Sequence, residues 1–406
     1  MTLQVVGGTY KERCREGDWD HLYGSGLRAA ASLQMLAKGT ELTTFIGHAE
    51  SELLDIIAGG FGVKPNKTET PQTVEFSYAH ALSVPLILPP VHTLAPTAPL
   101  VVEAECILRF GMVEGSAEVN GRRVVYDPQS AYTPELFGAN GSKAEALAVV
   151  CNAREARLLT GESDLRKAGD ALLRRENAHV VVLKCGCRGA VVIQNAQSTP
   201  VPAFRTDRVW PLGSGDVFAS LFALSWAVEQ RNPIEAAMLA SKGTAYYCST
   251  RALPIPTDAD IDARLSITPI CVGLDGPQDK TPLVYLASPF FNMMERWMVE
   301  EARDAIRAQG LRVFSPLHDV GLGGAEEVVP KDVDAIHRSH AMFAVVDHLD
   351  TGTVFEIGYA RALGRPVVVL AQNVDEESLK MLEGTGCDIC DDFVTAIYRT
   401  AWAAGP

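Results

Sequence analysis

Residues 347–364, DHLDTGTVFEIGYARALG, place two carboxylates six positions apart, at Asp350 and Glu356. Asp350 follows an apolar stretch typical of a strand, and Glu356 lies in the first turns of the helix predicted next. An ionised carboxylate in a cleft can attack the anomeric carbon of a sugar. A helix cap with a solvated glutamate is the alternative interpretation of the same residues.

A third acid belongs with these two. Asp332 lies in the stretch KDVDAI, upstream of the apolar stretch that precedes Asp350. Because a helix N-terminus stabilises negative charge, we expect Glu356 to stay ionised at neutral pH. A second carboxyl, protonated or sharing a proton, would donate to the departing base. The three acids together are therefore candidates for chemistry at a glycosidic bond, and helix capping stays open as the alternative.

A second constellation lies in residues 210–227, WPLGSGDVFASLFALSWA. The backbone N–H groups of Gly213, Ser214 and Gly215 open an apolar helix and would point at an anion. Asp216 follows them and could take a proton from an attacking hydroxyl. Capping of the helix is again the alternative interpretation.

Composition limits the classes of function. The chain has 406 residues, 47% of them hydrophobic, enough for two or three domains with their own cores. Its net charge of −14 argues against a protein that grips duplex DNA or an anionic membrane surface. A small nucleoside or nucleotide needs only a few local donors and remains a suitable partner.

The sequence shows no clear targeting signal and no metal-binding motif. No apolar run is long and clean enough to span a bilayer, and MTLQVVGGTYKERC does not look like a signal peptide. The nine cysteines include the close pairs Cys185/Cys187 and Cys387/Cys390, but neither has a second pair at ligand spacing. We therefore expect reduced thiols in the cytoplasm and no direct metal ligand.

Residues 265–282, LSITPICVGLDGPQDKTP, separate a long α/β region from a more compact alternation of strands and helices, and indicate a domain boundary. We expect one α/β domain over residues 1–268 and a smaller one over residues 281–406. In the second, apolar strands such as LVYLAS and AMFAVVD alternate with amphipathic helices, which predicts a doubly wound parallel sheet. Ligands of such sheets lie beyond the carboxyl ends of the strands. The predicted strand ends are Ser288, Pro316, Asp347–Asp350 and Gln372.

The segments YLASPFF (285–291), KDVDAIHRSHAMFAVVD (331–347) and DTGTVFEIGYARALGRPVVVL (350–370) resemble the nucleoside 2-deoxyribosyltransferase family. The resemblance covers about residues 282–395 and implies a flavodoxin-like or Rossmann-like fold. It implies that Glu356 is the nucleophile that attacks C1′ and that Asp350 contacts the sugar. It further implies that Asp332 protonates the leaving base and that Tyr285 orients the nucleophile.

The resemblance also bears on the substrate. Ser288 matches a position near the 5′ group in relatives that hydrolyse nucleotides, so it could donate to a 5′-phosphate or be a plain turn residue. Gly352 lies in the motif beside Asp350. His318 follows a strand end and could line the pocket or be a structural loop residue. The family holds the 5′-hydroxyl with an Asn-x-Met segment from a neighbouring subunit, but Leu379–Met381 lacks the asparagine. This favours a modified or phosphorylated substrate, with Lys380 involved, and at least a dimer.

The glycine turn of residues 210–227 resembles that of the PfkB, or ribokinase-like, family of sugar and nucleoside kinases. NAREARLLTG (152–161) resembles its Asn-x-x-Glu segment, which implies that Asn152 and Glu155 arrange magnesium and phosphate through water. VVLKCGCRGAVVI (181–193) resembles the strand and turn beside the ATP purine, with Gly186 in the turn. ASKGTAYYCSTRAL (240–253) resembles the helix that closes the nucleotide site. The resemblance covers about residues 1–265 and implies a three-layer ribokinase-like domain that uses ATP and Mg²⁺ if it is active.

This chain departs further from the kinase pattern than from the deoxyribosyltransferase pattern. Trp210, Pro211 and Leu212 stand where the family has an aspartate, a threonine and a variable residue. The early acid of the sugar grip would be Glu12, and YGSGLRAAAS (23–32) has alanine in place of the asparagine. Loss of each donor to a substrate hydroxyl costs about 1–3 kcal/mol. Either the domain is a kinase that accepts an unusual substrate, or it binds a ligand or builds an oligomer without turnover. The departures favour the second, so we expect weak or absent phosphorylation of ribose, fructose 6-phosphate and common nucleosides.

Three functions remain open at this stage. The first is cleavage or exchange of the N-glycosidic bond of a (deoxy)nucleoside or nucleoside 5′-phosphate, without a cofactor, by the C-terminal domain, with a kinase-like domain acting on the same metabolite. The second is a nucleotide sensor without turnover, against which the complete set Asp332, Asp350 and Glu356 argues. The third is hydrolysis of an NAD-like dinucleotide, whose nicotinamide riboside bond is of the same kind. Hydrolysis and transfer pass through the same glycosyl-enzyme, and the residues do not distinguish them.

Overall fold

The computed structural model describes residues 2–130, 132–195, 197–265, 267–270 and 281–405. The chain forms two compact units, Met1–Cys271 and Val272–Pro406. Residue 266 and residues 271–280, which belong to the predicted domain boundary at 265–282, lie outside the described residues. Among the helices described, none has the length and apolar character needed to cross a membrane.

A nine-stranded sheet organises the N-terminal unit, in the order β13-β12-β11-β10-β9-β8-β1-β4-β5. Neighbours are parallel from β11 to β5, while β12 runs antiparallel to both β11 and β13. A second sheet has the order β3-β2-β6-β7, and β14 pairs with β15. The strands are β1 (Leu3–Val6), β2 (Lys11–Cys14), β3 (Trp19–Leu22), β4 (Glu41–Gly47), β5 (Pro65–Thr70), β6 (Glu75–Tyr78), β7 (Leu86–Leu88), β8 (Leu100–Phe110), β9 (Ala117–Asp127), β10 (Lys143–Asn152), β11 (Val180–Lys184), β12 (Ala190–Gln194), β13 (Gln197–Val201), β14 (Ala203–Arg205) and β15 (Thr268–Ile270).

Helices cover both faces of the large sheet. Val180, Val182 and Val192 share one buried cluster with Phe222 of α5 and Tyr247 of α6. On the other face, the Cα of Gly169 in α4 lies against Leu183 and Ile193, where a Cβ would meet Ile193 Cδ1 at 2.0 Å. This three-layer α/β arrangement confirms the predicted fold class. The helices are α1 (Gly24–Ser32), α2 (Ser51–Gly60), α3 (Ala153–Thr160), α4 (Leu165–Arg175), α5 (Ser214–Ala223), α6 (Pro233–Thr250) and α7 (Asp258–Arg264), and a π-helical turn, Leu224–Val228, continues α5.

The C-terminal unit has a five-stranded, fully parallel sheet in the order β17-β16-β18-β19-β20. This is the doubly wound order in which the chain reverses direction between the first and third strands, here β16 and β18. The predicted doubly wound parallel sheet is therefore confirmed. The elements are β16 (Leu283–Ala287), α8 (Met293–Ala308), β17 (Arg312–Phe314), α9 (Pro316–Asp319), α10 (Ala325–Arg338), β18 (Ala341–Val345), α11 (Thr351–Ala362), β19 (Val367–Leu370), α12 (Glu376–Gly384), β20 (Asp388–Cys390) and α13 (Phe393–Ala403).

The central strands of this unit are apolar on both faces because helices cover both faces. Every residue of β16, β18 and β19 is buried. Side-chain caps define where the helices begin: Asn292 caps α8, Asp350 caps α11 and Asp392 caps α13. Asp350 therefore does lie at a helix start, directly beyond the carboxyl end of β18.

We expect Phe343→Ala to destabilise the C-terminal unit by about 3–5 kcal/mol, because it leaves a cavity in a closed core. The Phe343 ring is fully buried and meets Phe393 edge-on, with ring centroids 6.4 Å apart. Urea denaturation of the full chain, followed by far-UV circular dichroism, measures the change. The control is Phe291→Ala, whose side chain is 70% exposed, and which should shift the transition by no more than about 0.5 kcal/mol. Equal effects of the two variants would contradict the packing described.

Candidate active site

A hydrogen bond between β16 and α11 organises the candidate site. The Tyr285 hydroxyl donates to Glu356 Oε1 at 2.6 Å. Tyr285 is fully buried within β16, and Glu356 lies in the second turn of α11, the helix that follows β18. Since β16 and β18 are the neighbours between which the winding reverses, this pair lies at the crevice where ligands of such folds bind.

The protonation of Glu356 differs from the sequence expectation. The pKa of Glu356 is raised to about 7. Burial is the largest cause, the Tyr285 hydrogen bond acts in the opposite direction, and the charges of Asp332 and Asp350 add to the increase. At neutral pH the carboxyl is therefore a mixture of protonated and ionised forms, whereas the sequence predicted that it stays ionised. Desolvation and two nearby acids outweigh the helix N-terminus, so the carboxyl titrates close to neutrality.

Tyr285 is held as a neutral donor. Burial raises the pKa of its hydroxyl, and the neighbouring Glu356 carboxylate raises it further. A neutral phenol can only donate its proton to the carboxylate, which directs one oxygen of Glu356 and leaves the other for a different contact. The residue thus has the geometry expected of a group that orients a nucleophile.

Asp332 lies in the third turn of α10 and is half-buried. Burial raises the pKa of its carboxyl, while the adjacent Lys331 lowers it. The negative charge of Asp332 raises the pKa values of both Tyr285 and Glu356. Within the described parts of the chain, Asp332 Oδ1 is buried without a hydrogen-bond partner. An orphaned buried oxygen is costly, so this atom is suited to a ligand that supplies a donor or shares a proton.

Asp350 is a helix cap as well as a neighbour of the nucleophile candidate. Its Oδ2 accepts hydrogen bonds from Thr353 N at 2.8 Å and Thr353 Oγ1 at 3.0 Å. Gly352, the second residue of α11, is exposed, and a Cβ there would lie 3.1 Å from Asp350 Oδ2. The cap fixes the direction of the carboxylate, whose charge still reaches Glu356.

The polar groups of the loop after β16 form hydrogen bonds within the protein. Ser288 Oγ donates to the carbonyl of Pro289 at 3.1 Å. The N–H groups of Phe291 and Asn292 donate to Glu295 Oε2 at 2.6 and 3.1 Å, in a capping box. An acid thus occupies the start of α8. Sequence reasoning missed this box, although Asn followed three residues later by Glu is its signature.

His318 and Lys380 are engaged elsewhere. His318 Nε2 lies 2.9 Å from Glu300 Oε1, and its Nδ1 lies 3.1 Å from Ser315 Oγ. Lys380 pairs with Glu377 one turn away on α12. The fold therefore brings together Tyr285, Asp332, Asp350 and Glu356, whereas the contacts of His318 and Lys380 are with their own surroundings.

In the N-terminal unit, Asp216 lies in the first turn of α5 and is buried. Its Oδ2 accepts from Arg28 Nη1 at 2.7 Å, and its Oδ1 accepts from Gln129 Nε2 at 2.5 Å. Arg28 also pairs with Glu12, the early acid. The sequence analysis did not single out Arg28, although a lone arginine within the apolar stretch LRAAAS was a signal for it.

Three of the residues predicted to bind ATP or phosphate, Gly213, Ser214 and Gly215, form this helix start. Gly213 has φ 79°, and Ser214 N donates back to Pro211 O at 2.9 Å. Lys184 Nζ is close to Gly215, where a Cβ would lie 3.4 Å from it, and Lys184 pairs with the buried Asp127. A lysine beside this glycine fits a phosphate group.

The magnesium part of that prediction fits less well. Asn152 and Glu155 cap α3 reciprocally, with Glu155 N to Asn152 Oδ1 at 2.9 Å and Asn152 N to Glu155 Oε2 at 2.8 Å. Their side chains are thus committed to backbone groups. In the described ranges, no group of three or more His, Cys, Asp or Glu residues is arranged to hold a metal ion. Gly186 is exposed, with φ 57°, in the turn after β11.

Comparison with solved structures places the N-terminal fold. A fructokinase from Vibrio cholerae O395, bound to fructose, ADP and calcium, is 13% identical and has a TM-score of 0.50, over 65% of this chain and 99% of that one. Aminoimidazole riboside kinase from Salmonella enterica is 14% identical, with a TM-score of 0.49, over 65% and 99%. A ribokinase from Thermotoga maritima is 18% identical, with a TM-score of 0.47, over 65% and 98%. At these identities the likeness concerns the fold alone.

Family comparisons address the two units separately. Residues 119–252 match the pfkB family carbohydrate kinase model, and residues 284–388 match the nucleoside 2-deoxyribosyltransferase model. None of the curated proteins compared matches the chain. Both resemblances drawn from the sequence are confirmed: the chain joins a pfkB carbohydrate kinase-like unit to a nucleoside 2-deoxyribosyltransferase-like unit.

Proposed function

We propose that the C-terminal unit cleaves or exchanges the N-glycosidic bond of a (deoxy)nucleoside or nucleoside 5′-phosphate, with Glu356 as nucleophile. The observation that carries this proposal is the hydrogen bond from Tyr285 to Glu356 at the reversal of the sheet winding. Two further acids, Asp332 and Asp350, act electrostatically on the same carboxyl. No cofactor is needed, because every step is a transfer between carbon, nitrogen, oxygen and protons.

In the first half-reaction, one carboxylate oxygen of Glu356 bonds to C1′ while the bond from C1′ to the base nitrogen breaks. Tyr285 holds the other oxygen and so limits the rotation of the carboxylate. The electron pair of the broken bond goes to the base, which takes a proton from Asp332. Burial raises the pKa of Asp332 and so favours the protonated form that this role requires.

In the second half-reaction, a new nucleophile attacks C1′ and Glu356 leaves as a carboxylate. Water gives hydrolysis, and a second base gives exchange. Either returns a proton to Asp332 and restores the starting state. Asp350 would bind a sugar hydroxyl through the oxygen that its capping bonds leave available. At least a dimer and a cytoplasmic location belong to this proposal. Binding of ATP and Mg²⁺ belongs to it only if the N-terminal unit is an active kinase.

Replacing the nucleophile tests the proposal directly. We expect Glu356→Gln to lower the release of free base by on the order of 10³-fold or more, since no covalent intermediate can form. The measurement is chromatography after incubation with a panel of deoxynucleosides, their 5′-monophosphates and NAD. Glu383→Gln, on the exposed face of α12, is the matched control and should leave release unchanged. Base release that persists in Glu356→Gln would remove the assignment.

The pH dependence of the reaction should report the same carboxyl. Because the reaction needs Glu356 ionised and Asp332 protonated, kcat/KM should depend on pH as a bell-shaped curve, with one limb near the Glu356 pKa of about 7. Tyr285→Phe removes a hydrogen bond that lowers this pKa, so that limb should move to higher pH. Tyr359→Phe is the control, since the hydroxyl of Tyr359, also on α11, lies 2.8 Å from His337 Nε2. An unshifted profile in Tyr285→Phe would contradict the orienting role.

Stability provides a test that needs no substrate. The pKa of Glu356 is about 7 in the folded protein against an ordinary 4.5, so the folded state binds this proton more tightly than the unfolded chain does. Ionisation therefore destabilises the fold progressively from pH 4.5 to 7. We expect Glu356→Gln to be more stable than the wild type by about 1–3 kcal/mol at pH 8, with the difference vanishing near pH 4.5. Urea denaturation at both pH values measures it, and a pH-independent difference would show that this carboxyl is not buried as described.

A further inference from the structure

A buried guanidinium occupies the centre of the N-terminal unit's candidate site. Arg28 is 1% exposed and is the one charged residue of α1, all nine residues of which are buried. Its Nη1 donates to Asp216 Oδ2 at 2.7 Å, and its Nη2 donates to Glu12 Oε2. The guanidinium also lies over the ring of Tyr23, 5.2 Å from its centroid. Both terminal nitrogens of the guanidinium are thus paired with the two acids.

The two acids are occupied from other sides as well. Glu12 Oε1 accepts from Gly24 N at 3.1 Å, and Glu12 Oε2 accepts from Trp19 Nε1 at 3.3 Å. Asp216 Oδ1 accepts from Gln129 Nε2 at 2.5 Å. Both oxygens of each carboxylate therefore have protein donors. A general base must instead present an oxygen within hydrogen-bond reach of the proton that it removes.

The guanidinium also takes the space in front of the glycine turn. A Cβ on Gly213 would lie 2.2 Å from Arg28 Nε and 2.3 Å from Arg28 Cζ. The face of the turn next to Asp216 is thus covered by a side chain of the same unit. A substrate hydroxyl placed to react at this turn would have to displace Arg28 from two buried ion pairs.

We infer that Arg28 closes the acceptor position of the N-terminal unit and converts Asp216 from a catalytic base into a structural carboxylate. Burial by itself would lower the pKa of Arg28, but Glu12 and Asp216 raise it well above its ordinary value. The guanidinium therefore stays charged at any pH at which the protein is folded. Phosphoryl transfer that depends on Asp216 is excluded while Arg28 is in place. This inference is independent of the reaction proposed for the C-terminal unit.

A double-mutant cycle on the full chain tests the closure. Removing one partner of a buried ion pair leaves an unpaired charge, so we expect Asp216→Asn to lower the melting temperature by about 5–15 °C. In an Arg28→Met background the same substitution should cost less than half as much, because no cation is left unpaired. Asp20→Asn is the control, since Asp20 pairs with Arg13 at the surface, with side chains 68% and 55% exposed, and it should not shift the transition.

Several outcomes would overturn the inference. A residue kept for catalysis is commonly suboptimal for stability, so an unchanged or raised melting temperature in Asp216→Asn would identify Asp216 as a functional base. If Arg28→Met does not fold, Glu12→Gln replaces it, and its loss of stability is expected to overlap with that of Asp216→Asn because both act on Arg28. In parallel, transfer from ATP and Mg²⁺ to sugars, polyols and nucleosides is measured. Transfer that Asp216→Asn abolishes would refute the closure, whereas no transfer, or transfer unaffected by the substitution, supports it.

Discussion

The candidate chemistry of the C-terminal unit depends on one hydrogen bond, from the buried hydroxyl of Tyr285 to the carboxyl of Glu356. The bond joins the first strand of the parallel sheet to the helix that follows the third strand. It can form because β16 and β18 are neighbours, and it holds a carboxyl at the crevice between them. A carboxyl on a helix surface would be free to rotate; this one has a fixed oxygen and a pKa near neutrality.

The buried acids around Arg28 and Lys184 differ from those of the candidate active site. In the N-terminal unit, Glu12 and Asp216 share Arg28, and Asp127 pairs with Lys184, so each of these three carboxylates has a cation. In the C-terminal unit, the charges of Asp332 and Asp350 raise the pKa of Glu356, and the cation that lowers the pKa of Asp332 is the exposed Lys331. An opposite charge favours the ionised form of a carboxyl, whereas a neighbouring acid favours the protonated form, which supplies a proton that a reaction can move.

Helix caps account for several residues that could otherwise be taken as ligands. Asn152 with Glu155, Asn292 with Glu295, and Asp350 all satisfy N–H groups at helix starts. For Asp350 the two interpretations are compatible, since one oxygen caps α11 and the charge still affects Glu356. For Asn152 and Glu155 the reciprocal box leaves much less for a bound ion. Capping and catalysis use the same residue types, so local spacing alone does not separate them.

Much of the fold was predictable from sequence, because alternation of apolar strands with amphipathic helices is a local property. The doubly wound sheet, and the positions of Asp350 and Glu356 around a helix start, follow from it. Family resemblance supplied the pairing of Tyr285 with Glu356, since these residues are 71 positions apart and no local pattern connects them. The raised pKa of Glu356 was not predictable, because it depends on burial and on charges from a different helix.

By itself, then, the sequence determined the class of each unit and the residue types available for chemistry. Tertiary structure alone decided which of these residues meet. Arg28 and Asp216 are 188 positions apart, and their ion pair exists because α1 packs against α5. That contact makes one candidate base structural, while burial beside other acids leaves Glu356 poised between two protonation states. The physical reason is that the strength of an electrostatic interaction depends on distance and desolvation, and both are set by packing rather than by order along the chain.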